Sequence, residues 1–160
     1  MTTLRPNAWR WLPVFIVASF VAATPGALWP VDRWYFDLAK PSWNPPNWVF
    51  GPVWTLLYLM IGVAAWRAWR ARAPMAPWAV QWALNFAWTG IFFGAHAMGL
   101  AFAEICLLWA AIAWAMATAV RHDRTAAALI VPYLAWVSFA AALNLALWSL
   151  NAANQPLTAR

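Results

Sequence analysis

The sequence predicts an all-α membrane protein, a five-transmembrane-helix bundle with a long structured loop between helices 1 and 2. Three observations carry that expectation. The 160-residue chain is 66% hydrophobic and only 9% charged, outside the balance that keeps a soluble domain dissolved. Its charges are also excluded from long runs: no Asp, Glu, Lys or Arg occurs from Trp11 to Val31, Pro41 to Trp66, Ala73 to Ala103 or Thr125 to Ala159. A hydrocarbon core of about 30 Å needs roughly 20 apolar residues in a helix. Finally, runs such as Val49 to Trp66 do not alternate apolar with polar residues. Backbone polar groups in lipid must be satisfied by a helix or a closed barrel, and without alternation the helix is the reading that fits.

The helices are expected at about 9–29, 47–68, 78–95, 98–120 and 125–150, within a single domain covering 1–160. Arg5 and Arg10 precede the first apolar run as they would a signal peptide. The run continues through Leu28 without a clear small-x-small cleavage site before Asp32, so a retained first helix is expected. Segment 30–46 follows, with Asp32, Arg33, Asp37, Lys40 and four prolines counting Pro30. Its run from Lys40 to Trp48 is stiff, because the pair Pro45-Pro46 fixes two φ angles and proline is accepted in a first helical turn. Trp34, Tyr35 and Trp43 make it too aromatic for a plain linker, so it is expected to fold back over the bundle as a lid. The second connection, Arg67 to Pro77, carries Arg67, Arg70 and Arg72; the third, around Ala95 to Ala97, is nearly a tight turn; the fourth is Arg121-His122-Asp123-Arg124.

With five spans, the N-terminus and connections two and four share a side that holds Arg5, Arg10, Arg67, Arg70, Arg72, Arg121 and Arg124. The other side has Arg33, Lys40 and Arg160. Positive charge favours the cytoplasmic side, so the N-terminus is expected there and the C-terminus outside. The net charge of +6 is then a topology signal, and no nucleic-acid partner is expected. Trp9, Trp11, Trp29, Trp66, Trp69, Trp78 and Trp148 fall near helix ends, where interfacial anchors belong. The lone Cys106 excludes a disulfide within the chain.

Motifs of familiar enzymes are absent: there is no phosphate loop, no G-x-G-x-x-G and no H-E-x-x-H. His96, His122 and Cys106 lie on separate segments, so no metal site is expected. Glu104 is the only acid inside an expected span, either a functional group or a carboxyl near the interface bonded to a neighbouring helix. Sixteen tryptophans exceed what anchoring needs. On helix 3, Asn85, Trp88, Thr89 and Phe92 share one face by their i, i+3, i+4, i+7 spacing. Tyr133, Trp136, Ala140 and Asn144 form a similar stripe on helix 5, and Trp54, Leu57, Tyr58 and Ile61 on helix 2. Aromatic stripes with few polar groups fit a ligand pocket or ordinary helix packing equally well. On the other face of helix 3, Ala83, Ala87, Gly90 and Gly94 align, with a G-x-x-x-G that suits either a homodimer or a close helix contact within the chain.

The run Trp43-Asn-Pro-Pro-Asn-Trp-Val-Phe-Gly-Pro-Val-Trp54 with Tyr58, the run Ala83-Leu-Asn-Phe-Ala-Trp88 with Phe92-Phe-Gly94, and Pro132-Tyr-Leu-Ala-Trp136 followed by Leu143-Asn144 occur in order. On these motifs nearly the whole chain resembles the TspO/MBR family, the tryptophan-rich sensory proteins of bacteria and the mitochondrial translocator protein or peripheral benzodiazepine receptor. The resemblance implies a five-helix bundle, commonly a homodimer, that binds porphyrins such as protoporphyrin IX and haem-type tetrapyrroles, with no obligatory cofactor. It implies a pocket lined by Trp34, Tyr35, Trp54, Asn85, Trp88, Phe92, Trp136 and Ala140. The role implied is a membrane receptor or regulator, in sensing or trafficking. The alternatives are a light- or oxygen-dependent enzyme degrading protoporphyrin, with Trp54 and Trp136 as candidate oxidised residues, and a sterol- or lipid-binding transporter. Vertebrate members carry a Tyr and a following Arg late in helix 5, where this sequence has Leu145 and Ser149. It also has Gly90 where relatives often have Pro.

Overall fold

The computed structural model describes Arg5 and residues 7–152; Arg160, part of the charge asymmetry above, lies outside the described residues. Among the described residues every regular element is helical. In chain order they are a 3-10 turn Ala8–Trp11, α1 (Leu12–Val21), α2 (Pro25–Leu28), α3 (Arg33–Asp37), a 3-10 turn Asn47–Val49, α4 (Phe50–Arg70), α5 (Ala76–Thr89), a π-helical turn Gly90–Gly94, α6 (Met98–His122) and α7 (Arg124–Asn151). Four stretches are long and apolar enough to cross a membrane: Ala8–Leu28, Asn47–Arg70, Met98–His122 and Arg124–Asn151.

Three departures from the expected helices have local causes. The first helix is interrupted between α1 and α2, because Pro25 has no N–H to offer the Val21 carbonyl. Thr24 takes that carbonyl instead, through its N–H at 3.1 Å and its hydroxyl at 2.8 Å. The third helix is not continuous over 78–95. After Thr89 it widens into the π turn, closed by the Ala95 N–H to the Gly90 carbonyl at 2.8 Å. The segment expected as a loop over 30–46 contains α3, capped by the Asp32 carboxylate, which accepts from the Tyr35 N–H at 3.2 Å.

The remaining ends follow ordinary capping chemistry. α4 closes with Arg72 in the left-handed region (φ 62°) and the Ala73 N–H reaching back to the Ala68 carbonyl. Asp123 caps α7 by accepting from the Thr125 and Ala126 N–H groups, and pairs with Arg67 of α4 at 3.0 Å. α6 packs against α5 and α7, α4 against α1 and α7. Small residues set these distances: Ala64, Ala65, Ala68, Ala115, Ala119 and Ala126 are wholly buried. At the α1–α4 contact, a Cβ on Gly62 would stand 2.8 Å from the Ile16 Cα.

The glycines of the G-x-x-x-G are filled from within the chain. Trp29 lies over both, so that an added Cβ would meet its ring at 3.1 Å from Gly90 and 2.8 Å from Gly94. Of that stripe Ala83 remains exposed and Ala87 half-buried. Among the tryptophans expected at interfaces, Trp9, Trp11 and Trp148 are exposed, but Trp78 is fully buried in the core.

Candidate functional site

Polar residues inside the bundle are few: Asn85 and Asn144 pair across helices, whereas Gln81 and Glu104 are buried without a partner among the described residues. Asn85 of α5 accepts the Tyr58 phenol of α4 at 2.8 Å and donates its amide to the Tyr133 oxygen of α7 at 3.0 Å. The next layer repeats the logic. Asn144 of α7 accepts the Trp88 indole N–H at 3.3 Å and donates to the Met98 carbonyl of α6 at 2.9 Å. In a dry interior each of these groups would otherwise lack a partner, so the bonds fix the rotation of α5 relative to α4 and α7.

These bonds leave a cavity of about 440 Å³ among the helices. Its walls are aromatic: Trp54 lies nearly parallel to Tyr58 (ring centroids 5.3 Å apart), and Trp88 to Phe92 (5.0 Å). Trp136 closes the α7 side, in edge contact with Phe50 at 5.8 Å. Tyr35 reaches down from α3 to form part of the roof. Of the eight residues expected to gather here, Tyr35, Trp54, Asn85, Trp88, Phe92, Trp136 and Ala140 line the cavity. Trp34 does not; it stands behind the wall, stacked on His96 at 4.1 Å and edge-on to Phe92 at 5.7 Å.

The roof is tied down at several points. Both polar ends of the Asn151 side chain, at the end of α7, bond the Ala39 backbone, at 3.0 and 2.9 Å. Asp32 meets His96 of the α5–α6 turn at 3.2 Å. The Lys40 ammonium donates to the carbonyls of Tyr35, Phe36 and Leu38 and lies 4.7 Å from the Tyr35 ring centroid. Burial pushes the Tyr35 phenol above its ordinary value, with its hydrogen bond to Asn44 opposing the shift.

Sequence reasoning missed His96 and Asn151, which hold the roof, and Ile105 and Leu108, by which α6 contributes to the wall. Ile105 and Leu108 have the spacing of any core pair and carry no separate signal. Glu104 is not bonded to a neighbouring helix: it is buried, and neither carboxylate oxygen has a partner among the described residues. The candidate redox residues Trp54 and Trp136 both face the cavity. No group of three or more metal-ligating side chains occurs among the described residues.

The fold and site define a class: a multi-pass helical membrane protein enclosing an aromatic, sparsely polar chamber beneath a structured lid. The sequence model of the TspO/MBR family matches residues 11–149, and the chain belongs to that family. It is 38% identical to "Protein CrtK" of Rhodobacter capsulatus over 155 residues, covering 91% of this chain and 95% of that protein. It is 39% identical to the "Tryptophan-rich sensory protein" of Cereibacter sphaeroides, over 89% of this chain and 92% of the relative. It is 41% identical to the "Translocator protein" of Homo sapiens, over 74% and 75%. Family membership and the four apolar helices make it an integral membrane protein.

Proposed function

We propose that the chain is a membrane receptor or regulator that binds a porphyrin, protoporphyrin IX or a haem-type tetrapyrrole, for sensing or trafficking. The observation that carries this reading is the convergence of Trp54, Trp88 and Trp136 with Asn85 on one cavity. Indole faces offer stacking surface to a flat macrocycle, and the amide and phenols offer it a few polar contacts. At about 440 Å³ the chamber lies within the range of roughly 300–1,000 Å³ typical of small-molecule sites.

The architecture we attach to this reading has five spans. α5 with its π turn completes the count, because Ala76–Thr89 and Gly90–Gly94 together make a helical path long enough to reach across beside α6. The arginine-rich end and the N-terminus then face the cytoplasm and the lid faces outward. A homodimer on the α5 face of Ala83, Ala87, Gly90 and Gly94 would meet Ala83 and Ala87 directly, and the Trp29 ring in place of the two glycines it covers.

The test is a titration of purified protein with protoporphyrin IX, read by tryptophan quenching. Saturable quenching is expected, and Trp54→Ala and Trp136→Ala should each weaken binding by roughly tenfold. Affinity that both variants leave unchanged removes the cavity as the site.

A further inference from the structure

Beneath its pinned roof the chamber reaches exposed residues at its rim, Gly26, Val31, Asn47 and Gly51, and on another side it comes close to the acyl chains. On the aqueous side, the Asn151–Ala39 bonds, the Asp32–His96 contact and the Trp34–His96 stack all act against opening. On the lipid side the barrier is thinner. An almost wholly apolar groove runs down the outside of the bundle between α4 and α7, with Leu56 and Met60 on one bank and Pro132 and Ala135 on the other. Trp136 lines both this groove and the inner cavity, so one indole separates the chamber from the acyl chains.

That indole is held differently from its neighbours. Trp88 is fixed by its hydrogen bond to Asn144 and its stack on Phe92, and Trp54 by its stack on Tyr58. The Trp136 N–H is buried without a partner among the described residues, and its rings meet Phe50 and Phe139 only at angles of 71° and 38°. Swinging it breaks dispersion contacts and no hydrogen bond. One turn earlier, Pro132 sits inside α7 and takes the helical hydrogen bond from the Ala128 carbonyl, which loosens the helix where the ring must move.

We infer that ligand enters and leaves the cavity sideways from the bilayer, between α4 and α7, with the Trp136 indole as the gate. The inference rests on the cavity being the ligand site. A flat apolar solute partitions into acyl chains before it meets the protein, so the groove is the surface it reaches first.

The test uses the full chain in phosphatidylcholine nanodiscs, with protoporphyrin IX binding followed by stopped-flow tryptophan quenching. Ala135→Trp and, separately, Leu56→Trp fill the groove from its lipid face without touching the cavity wall. Both should slow association and dissociation together by about tenfold while leaving Kd unchanged, a rise in barrier common to the two directions. Asn151→Ala, which unpins the roof, should leave both rates as they are. Normal rates in both groove variants, or faster association in Asn151→Ala, overturn lateral access. If the unaltered protein shows no saturable quenching, the ligand reading fails and takes this inference with it.

Discussion

Asn85 engages both ends of its side-chain amide with phenols on different helices, Tyr58 at 2.8 Å and Tyr133 at 3.0 Å. Asn85→Leu keeps the branched shape at a somewhat larger volume and removes both bonds, leaving two hydroxyls in a dry interior. The expected loss is about 1–3 kcal/mol of stability, seen as a lower midpoint in thermal unfolding of the detergent-solubilised protein. A midpoint equal to that of the unaltered chain would mean the bonds carry no net weight. Asn85 was legible from its place on an aromatic stripe, but its partners were not, since spacing along one helix says nothing about which residue of another helix lies opposite. Gly62 gives a second test at this scale. A methyl there would lie 2.8 Å from the backbone of Ile16, which cannot step aside as a side chain tip can, whereas a methyl at Gly51 meets nothing within 4 Å. Gly62→Ala should therefore destabilise by about 1–3 kcal/mol. Gly51→Ala should be neutral or slightly stabilising, since alanine is the better helix former. Equal unfolding midpoints for the two variants would refute the close α1–α4 approach.

At the scale of elements, the connection over 30–46 lies over the cavity and is anchored at two places far apart in sequence. Asn151 holds Ala39 from the end of α7, and His96 holds Asp32 and Trp34 from the α5–α6 turn. Asn151→Ala should release the Ala39 amide, so that its hydrogen exchange rises by roughly an order of magnitude while the amides of α6 keep their protection. Unaltered exchange at Ala39 would show that the remaining contacts suffice. The aromatic content of the connection revealed that it was more than a linker, yet not what holds it, because the anchors are a lone Asn and a lone His with ordinary neighbours. The long helices α4, α6 and α7 were readable from uninterrupted apolar runs, since a segment in lipid has few alternatives to a helix. Their interruptions were harder. The break before Pro25 follows a local rule that a hydropathy window averages away, and the π turn at Gly90–Gly94 has no comparable proline to announce it. Trp78 shows the same limit: a tryptophan near a helix end suits an interface, but α5 turns this one into the core.

Across the whole molecule the two ends of the bundle differ in charge, and the structure brings together segments that are distant in sequence. Arg5 lies over Trp69 at 4.7 Å and Arg67 pairs with Asp123, so the N-terminal segment, the end of α4 and the α6–α7 turn share one end. That end gathers Arg5, Arg10, Arg67, Arg70, Arg72, Arg121 and Arg124 against Asp123 alone. At the lid end, Arg33 and Lys40 are balanced by Asp32 and Asp37 among the described residues. Arg10 and Arg70 lie over Trp9 and Trp66, placing guanidinium groups beside indoles as at a headgroup layer. Each basic residue near an anionic leaflet contributes about 1 kcal/mol, so the asymmetry is ample to select one orientation. With Cys106→Ser as background, Ser42→Cys in the lid segment should react with a membrane-impermeant maleimide added to intact cells. Ala76→Cys, at the start of α5 near the arginine end, should react only after the membrane is opened. The reverse pattern would place the lid in the cytoplasm and invert the orientation, leaving the cavity and its lateral groove as they are but turning the roof toward the opposite compartment.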